Sequence, residues 1–226
     1  PAARAAAARF PLRVPRGFVA RMQYADPHDP LLRQVLPLAA ELEARSGFGP
    51  DPVGDRAAMH APGVLQKYRG RVLLTATGAC AVHCRYCFRR EFPYNDANAS
   101  ADRWRAALDH VAADASIEEV ILSGGDPLTL SDRRLGELID PLAAIPHVRR
   151  LRVHTRLPVV LPERVTAGLC HVLAATRLRL VIVIHANHAR ELDDRVGAAC
   201  ARFLESGATV LNQSVLLKGV NDAAET

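Results

Sequence analysis

Three cysteines lie close together in the segment GACAVHCRYCFRREF, residues 78–92. Cys80, Cys84 and Cys87 are separated by three and then by two residues, and two arginines follow closely. Three thiolates on one loop can bind three corners of a [4Fe–4S] cluster, which ordinarily has four protein ligands. The fourth iron then keeps an open position for a small molecule, as a catalytic zinc ion does. The spacing therefore favours an iron–sulfur cluster with one ligand-binding iron.

Two other interpretations of these cysteines stay open on the residues alone. A tetrahedral zinc ion would need a fourth ligand, which His83 inside the loop could supply, although paired C-x2-C elements are more usual. The three thiols could also be unrelated residues that fill space. Cys170 and Cys200 lie in helix-like segments, and we expect both to be buried as small apolar residues. A chain this long with five cysteines is not expected to be a disulfide scaffold.

A second motif, ILSGGDPL, occupies residues 121–128. Gly124 and Gly125 would allow the backbone to approach a ligand closely. The carboxylate of Asp126 can accept hydrogen bonds from an ammonium group. The same letters are also favourable turn chemistry, so the motif alone leaves a plain turn as an equal alternative.

The elements that must position these motifs alternate along the chain from residue 71 onward. Apolar runs typical of strands occupy residues 72–77, 119–123, 151–155, 180–185 and 209–217. Amphipathic helical patterns occupy residues 101–113, 132–144, 162–175 and 189–206. The last four strands recur about every 30 residues, which is the length of a βα unit. The alternation predicts an α/β fold in which helices cover a parallel sheet.

Polar residues follow each predicted strand at the point where the strand ends. They occupy residues 80–87, 123–126, 154–156, 185–188 and 212–214. Because the carboxyl ends of parallel strands meet at one face, we expect these groups to converge on a single site. This convergence favours a (β/α) barrel over a doubly wound sheet, although the alternation alone does not decide between them.

The domain organisation follows from a change in composition near residue 70. Prolines and glycines punctuate the first 70 residues, which contain one short helical pattern at residues 29–46. We expect residues 1–70 to form an irregular or helical extension and residues 71–226 to form the barrel domain. The sequence starts without methionine and stops at Thr226, where GVNDAAET resembles the start of a helix, so we expect a fragment cut at both ends, with a barrel incomplete at its carboxyl end.

The charge pattern argues against nucleic acid and membrane as partners. The formal charge is +5, and only Lys67 and Lys218 among the basic residues are lysines. The arginines are dispersed and are not interleaved with aromatic residues, as they would be in a nucleic-acid groove. No apolar run reaches the ~18 residues that indicate a membrane span.

The cysteine loop, directly after the first strand of the β/α array, resembles the radical S-adenosylmethionine (SAM) superfamily. Five blocks follow one another in the order and spacing of its lysine 2,3-aminomutase family: RVLLTATGACAVHCRYCFRREF, VILSGGDPL, HTRLPVVLPERVT, IHANHAREL and NQSVLLKGVND. The form CRYCFRREFPY is most similar to the branch that makes (R)-β-lysine for the modification of elongation factor P. The resemblance implies a partial (β/α) TIM-type barrel of the radical SAM type, truncated here at its carboxyl end.

The resemblance also implies a role for each matching residue. The cluster is expected to bind through Cys80, Cys84 and Cys87, and its open iron to bind the amino and carboxylate groups of SAM. The expected SAM pocket consists of Tyr86, Ser123, Gly124, Gly125, Asp126, Arg156 and His185. Arg89 is expected to bind the substrate carboxylate. The phosphate of pyridoxal 5′-phosphate (PLP) is expected at Lys67, Arg71 and Gln213, and its anchoring lysine and the acids for the substrate ammonium beyond Thr226.

The implied reaction moves the amino group of L-lysine from C2 to C3, using PLP and a 5′-deoxyadenosyl radical made from SAM. The implied partners are L-lysine, a reductant such as flavodoxin or ferredoxin and, indirectly, elongation factor P with its β-lysine ligase. An oxygen-sensitive cluster that needs reduced thiols places the protein in the cytoplasm. Two alternatives remain: a catabolic aminomutase acting on lysine or another amino acid, and a non-catalytic iron–sulfur or zinc module.

The first prediction concerns the polypeptide of residues 1–226 expressed alone. We expect it to bind an iron–sulfur cluster after anaerobic reconstitution but not to convert L-lysine, because the lysine that would hold PLP is expected elsewhere. Iron and sulfide analysis and a β-lysine assay with SAM, PLP and reductant measure the two properties. Formation of β-lysine by this polypeptide would contradict the prediction.

Overall fold

A computed structural model describes residues 2–94 and 101–224; for residues 2 and 101–103 it describes the backbone only. The amino-terminal part contains helices α1 (Ala2–Arg9) and α2 (Arg16–Val19) and 3-10 turns at Leu32–Gln34 and Ala39–Leu42. The strands are β1 (Met59–Ala61), β2 (Val64–Tyr68), β3 (Arg71–Thr77), β4 (Glu119–Gly124), β5 (Arg150–Thr155), β6 (Arg179–Ile184) and β7 (Thr209–Asn212). The later helices are α3 (Ala101–Ala113), α4 (Asp132–Ala144), α5 (Leu157–Val160), α6 (Ala167–Ala174) and α7 (Asp194–Glu205).

The seven strands form one sheet in the order of the sequence, β1 to β7. The first three strands are antiparallel, and β3 to β7 are parallel. Because each crossover moves to the next strand in the same direction, and crossovers are right-handed, the crossover helices lie on one side of the sheet. This arrangement is the wall of a (β/α) barrel, and the sheet does not close. The expected partial barrel is therefore confirmed.

The two faces of the parallel strands differ in chemistry. On β5, Leu151 and Val153 are fully buried in the main hydrophobic core, which lies between the sheet and the helices. The alternate residues Arg150, Arg152 and His154 point to the opposite, inner face, because successive side chains of a strand alternate. The inner face is therefore polar and basic at β5.

Side-chain caps fix where three crossover helices begin. Ser131, Thr166 and Asp193 each accept a hydrogen bond from the backbone N–H three residues ahead, at the starts of α4, α6 and α7. Among the helices of residues 2–94 and 101–224, none is both long and apolar enough to cross a bilayer.

Four predicted elements are wrong in extent. The strand expected at 209–217 ends at Asn212, whose side chain turns back to bond the backbone of Ala186. The helix expected at 162–175 is a 3-10 turn at Pro162–Arg164 followed by α6, and the one at 189–206 is a 3-10 turn at Ala189–Glu191 followed by α7. The helical pattern at 29–46 forms only two 3-10 turns, since Pro37 lies between them and interrupts a helix.

The segment expected to be an irregular or helical extension also contributes strands to the sheet. Residues 1–70 contain α1, α2 and the hairpin of β1 and β2, and β2 pairs with β3 in the common sheet. The hairpin thus belongs to the sheet although it precedes residue 71. The domain boundary between residues 70 and 71 stays a prediction.

A second prediction tests the core between sheet and helices. Leu138 on α4 is fully buried, whereas Leu204 on α7 is 57% exposed. We expect Leu138→Ala to lower the free energy of unfolding by about 2–5 kcal/mol, because it removes buried apolar surface and leaves a cavity. Leu204→Ala, the matched control, should change it by less than about 0.5 kcal/mol. Urea unfolding measures both values, and equal effects of the two substitutions would contradict the fold.

Candidate functional site

The cysteine loop follows β3 at the carboxyl end of the sheet. Cys80, Cys84 and Cys87 are half-buried, and all five cysteines of the chain are free thiols. Burial is the largest influence that raises the pKa of the Cys80 and Cys87 thiols. Thiolates on this loop would therefore need a cation to stabilise them, as a metal centre does.

The amino-terminal segment holds this loop from outside. Arg13 donates to the carbonyl of Cys80 at 2.9 Å, and its own carbonyl accepts the backbone N–H of His83 at 2.9 Å. The backbone N–H of Arg85 donates to the carbonyl of Gln34 at 2.8 Å. Backbone contacts on both sides of Cys84 thus come from residues more than forty positions earlier in the chain.

A carboxylate, Glu41, ties the middle of the cysteine loop to the residues that follow it. It accepts hydrogen bonds from both Arg85 and Arg90, the latter at 3.0 Å. Arg85 also donates to the carbonyl of Phe10 at 2.9 Å. Burial acts to raise the pKa of Glu41, but the bonds from the arginines outweigh it and lower the pKa. Charged groups thus fix the loop's shape before any metal binds.

His83 is held against the amino-terminal segment. Its Nδ1 donates to the carbonyl of Pro11 at 2.7 Å, and its ring stacks on Phe10 with centroids 4.6 Å apart. Within the part of the chain that the structure describes, no group of three or more His, Cys, Asp or Glu side chains is arranged around a single ion. An iron–sulfur cube requires no such convergence, because each thiolate binds its own iron.

The glycine motif packs directly against the cysteine loop. The N–H of Gly125 donates to the carbonyl of Thr77 at 2.7 Å, and that of Asp126 to the carbonyl of Ala79 at 2.7 Å. A Cβ on Gly124, which has φ of 120°, would lie 2.5 Å from the oxygen of Thr77. A Cβ on Gly125 would lie 2.2 Å from the oxygen of Ala79. Both glycines are therefore required for this close approach.

Asp126 is buried and serves the protein's own backbone. One carboxylate oxygen accepts from the N–H of Leu128 and the hydroxyl of Thr155, the other from the N–H groups of Arg156 and Leu157. Burial raises its pKa, although these hydrogen bonds act in the opposite direction. About four lone-pair positions are available on a carboxylate, and all are used here: one within its own turn and three to join the end of β4 to that of β5.

Arg156 follows β5 and connects the cysteine loop to the next strand end. Its Nη1 donates to the Sγ of Cys84 at 2.9 Å and to the hydroxyl of Tyr86. Its Nη2 donates to Glu191 at 2.9 Å and to the Oε1 of Gln34 at 2.7 Å. Burial acts to lower the pKa of Arg156, but Cys84, Tyr86 and Glu191 outweigh it and raise the pKa.

Tyr86 lies inside this network. In addition to the bond from Arg156, its hydroxyl accepts a hydrogen bond from the Nδ2 of Asn187 at 2.6 Å. Burial raises the pKa of the phenol, so its hydroxyl stays protonated and can donate one further bond. Its expected contact with adenine stays a prediction.

Two histidines meet on the inner face of the sheet. The rings of His154, on β5, and His185, just after β6, are 5.6 Å apart and nearly perpendicular. Burial lowers the pKa of both to about 4, and a hydrogen bond with the side chain of Gln213 acts in the opposite direction on His154. The Nε2 of His185 is buried without a hydrogen-bond partner in the described chain. Both rings are thus neutral at physiological pH.

Arg89 and Lys67 meet on a single buried carboxylate. Asp55 is 2% exposed; one oxygen lies 2.7 Å from the Nε of Arg89 and the other 2.6 Å from the Nζ of Lys67. Arg89 also donates to the hydroxyl of Ser123 at 3.1 Å. Burial acts to raise the pKa of Asp55, but bonds from Arg89 and Lys67 outweigh it and lower the pKa. The structure thus places Arg89 beside the glycine motif.

The three residues expected around a PLP phosphate are not gathered in one place. Arg71 lies at the amino end of β3, where its Nε is 3.8 Å from Glu119 and it lines a basic cavity of about 520 Å³. Gln213 follows β7 at the opposite, carboxyl end of the sheet. Among the contacts of the described residues, none joins Lys67, Arg71 and Gln213.

Several residues of the site were missed by sequence reasoning. They are Gln34, Glu41, Asp55 and Glu191. Glu191 lies within the block IHANHAREL, four residues after Asn187, so its place after a strand was a usable signal. The other three lie in the proline-rich and glycine-rich part of the chain, where no periodic pattern marked them.

Comparisons with known proteins show which proteins the chain is similar to. The pattern of the radical SAM superfamily matches residues 74–172, which include the cysteine loop and the glycine motif. The L-lysine 2,3-aminomutase of Haemophilus influenzae is 49% identical over 216 residues, 96% of this chain and 64% of that protein. The L-lysine 2,3-aminomutase of Escherichia coli is 48% identical over 225 residues, 100% of this chain and 66% of that protein.

A more distant relative covers less of its own length. The L-lysine 2,3-aminomutase of Clostridium subterminale is 37% identical over 198 residues, 87% of this chain and 47% of that protein. The chain thus spans slightly less than two thirds of the two more similar relatives and about half of this one.

A third prediction tests the contact between the two loops. We expect Gly125→Ala to destabilise the protein by more than about 2 kcal/mol, because its Cβ would overlap the backbone of Ala79. Gly197→Ala on α7 is the control, since its Cβ would meet no atom within 4 Å. A helix interior favours alanine over glycine by roughly 0.5–1 kcal/mol, so the control should stabilise. Thermal unfolding compares the two, and a tolerated Gly125→Ala would show that the loops are not in contact.

A fourth prediction concerns mild acid. The pKa of His154 and His185 is about 4 in the folded chain, whereas unfolded histidine titrates near ~6.5. Between these values the unfolded state binds more protons, so stability falls as pH falls, by at most about 1.4 kcal/mol per pH unit and histidine. His154→Gln should reduce this slope in urea unfolding, and His171→Gln, at an exposed position on α6, should not. An unchanged slope in His154→Gln would contradict the burial of that ring.

Proposed function

Because this chain belongs to the lysine 2,3-aminomutase family of radical SAM proteins, we propose that the whole protein is an isomerase that moves the amino group of L-lysine from C2 to C3. One observation carries the proposal: three unpaired thiols lie on a loop that packs against a glycine motif at the carboxyl ends of the parallel strands. Catalytic groups of (β/α) barrels lie at this face.

We assign the iron–sulfur cluster to Cys80, Cys84 and Cys87. The donor set fits, because soft thiolates select iron–sulfur clusters and zinc, and in the described chain no three His, Cys, Asp or Glu side chains converge on one ion as a zinc site requires. The surrounding charged network would hold the loop in shape. The amino-terminal segment, which contacts the cysteine loop, would also keep bulk water from part of it. Electrostatic interactions are stronger where water is excluded.

The SAM pocket is proposed beside this cluster. Two buried polar atoms, the Nε of Arg156 and the Nε2 of His185, have no hydrogen-bond partner in the described chain and would gain one from a polar ligand. Ser123, Gly124 and Gly125 lie at the end of β4, next to the loop that carries Arg156, so we assign their backbone and hydroxyl groups to the same pocket. When bound, the cluster and SAM supply one-electron chemistry that removes a hydrogen atom from the substrate.

Asp126 supports the pocket in a different way from that expected. Its oxygens hold the start of the β5 loop, and through it the backbone of Arg156. We therefore propose that Asp126 positions Arg156, while the amino group of SAM binds the neighbouring backbone carbonyls. Tyr86 and His185 remain proposed contacts of the nucleoside.

Arg89 is proposed to bind the substrate carboxylate, because its guanidinium is nearly buried beside Ser123 and the cysteine loop. The PLP assignments of Lys67, Arg71 and Gln213 fit less well, since these side chains do not surround a common point. We assign PLP to the whole protein on the family's chemistry, and we assign its anchoring lysine to no residue of this chain.

The finer assignment is to the branch that makes (R)-β-lysine for elongation factor P. The form CRYCFRREFPY supports it. A reductant such as flavodoxin or ferredoxin would supply the electron, and an oxygen-sensitive centre favours the cytoplasm. Within the chain, we propose residues 71–226 as the barrel domain, with the preceding segment as its cover over the cysteine loop.

A fifth prediction tests the function on the full-length protein. We expect Cys80→Ala, Cys84→Ala and Cys87→Ala each to lose most bound iron and all β-lysine formation, because a cluster with two thiolates is not held. Cys170→Ala and Cys200→Ala should keep both, since these thiols lie on α6 and α7. Iron analysis, electron paramagnetic resonance and product mass spectrometry provide the readouts.

Three outcomes would contradict parts of the proposal. Zinc without iron in anaerobically purified protein would favour a non-catalytic module. Faster turnover of another amino acid than of L-lysine would overturn the substrate. β-Lysine that is not attached to elongation factor P in cells would favour a catabolic enzyme.

A further inference from the structure

The side chain of Arg156 makes a direct contact with one of the proposed cluster ligands. Its Nη1 lies 2.9 Å from the Sγ of Cys84, within the distance of an N–H···S hydrogen bond. Arg156 is 5% exposed, so little water competes for this contact. Neither the binding of a cluster by three cysteines nor the proposed reaction requires a positive charge beside this sulfur.

The guanidinium is held so that it cannot turn away from the sulfur. Its Nη2, on the other arm of the fork, is bound by Glu191, which is fully buried, and by Gln34. Its plane also lies over the rings of Tyr86 and Phe18, with distances of 5.3 and 5.7 Å to the centroids. Four separate parts of the chain thus determine where Nη1 points.

Glu191 is fixed just as firmly as the arginine. Its Oε1 accepts from the Nε2 of Gln34 at 2.9 Å and from the backbone N–H groups of Asn187 and His188 at 3.0 and 3.1 Å. The carboxylate therefore compensates the charge of Arg156 without itself touching the thiol. The two charges lie at different distances from Cys84, so their effects on that sulfur do not cancel.

We propose, resting on the cluster assigned above, that Arg156 is a tuning residue that raises the reduction potential of the cluster through Cys84. A cation and a hydrogen bond at a ligating sulfur stabilise the added electron, because reduction increases the negative charge on the cluster and its sulfurs. Glu191 acts in the opposite direction and limits the shift. The pair therefore sets how strong a reductant the cluster can be.

The proposal makes predictions of opposite sign for the two charged partners. On the full-length protein with a reconstituted cluster and no SAM, we expect Arg156→Gln to lower the midpoint potential. Glu191→Gln should raise it, because the arginine charge is then uncompensated. Arg156→Lys keeps the charge but loses the forked N–H donors of the guanidinium. Its midpoint potential should lie between those of Arg156→Gln and the parent protein. Potentiometric titration followed by electron paramagnetic resonance gives each potential.

Controls separate tuning from stability and from SAM binding. Arg195→Gln removes a half-exposed arginine of α7 that pairs with Glu163, and its potential should equal the parent's. Iron and sulfide contents show whether each variant holds its cluster, and iron loss in the cysteine variants tests the proposed function separately. SAM affinity, measured by isothermal titration, shows whether Arg156 acts on SAM alone.

Several results would overturn the proposal. Unchanged potentials in Arg156→Gln and Glu191→Gln, with intact clusters, would remove the tuning role. Shifts of the same sign in both would show that altered packing, and not charge, moves the potential. Loss of the cluster from both variants would leave the pair a structural role only. A change in SAM affinity without a change in potential would make Arg156 a SAM ligand and nothing more.

Discussion

The buried ion pair between Arg156 and Glu191 is the constraint on which the site depends. A charged pair removed from water is costly unless further hydrogen bonds support both partners, and here both are supported, with only the Nε of Arg156 left without a partner in the described chain. The satisfying groups come from the amino-terminal segment, from the loop after β6 and from the cysteine loop. The pair can therefore remain buried only when all of these segments are in place. Its burial links the positions of these segments at the carboxyl ends of the strands.

Parallel strands give this face its common location. Each crossover returns the chain to the same edge, so residues about thirty positions apart arrive side by side, and Asp126 then joins the ends of β4 and β5. Periodicity and motif spacing predicted this part well. The bounds of α3 and α4 agree with the sequence patterns, and the cysteine and glycine motifs follow the strands that the apolar runs predicted.

The cover over the cysteine loop could not be predicted in the same way. Glu41 and Gln34 act through contacts with residues far along the chain, and their own surroundings in sequence are short turns around Pro37. The hairpin of β1 and β2 escaped notice because its strands are short and partly exposed, so neither an apolar run nor a clean alternation marks them. The length of β7 was overestimated for a similar reason. Asn212 ends the strand through a hydrogen bond between its side chain and the backbone of Ala186, and a hydropathy pattern does not reveal such a bond.

The two borders of the sheet are unlike each other. One ends in β1, a three-residue antiparallel strand, and the other in β7, beyond which no further strand pairs in the described chain. The outer border of Thr209–Asn212 thus presents unpaired amide groups beside the exposed side chains of Leu211 and Leu216. Such an edge is a template on which a further strand can pair, and a strand placed there would satisfy these amide groups and cover the leucines.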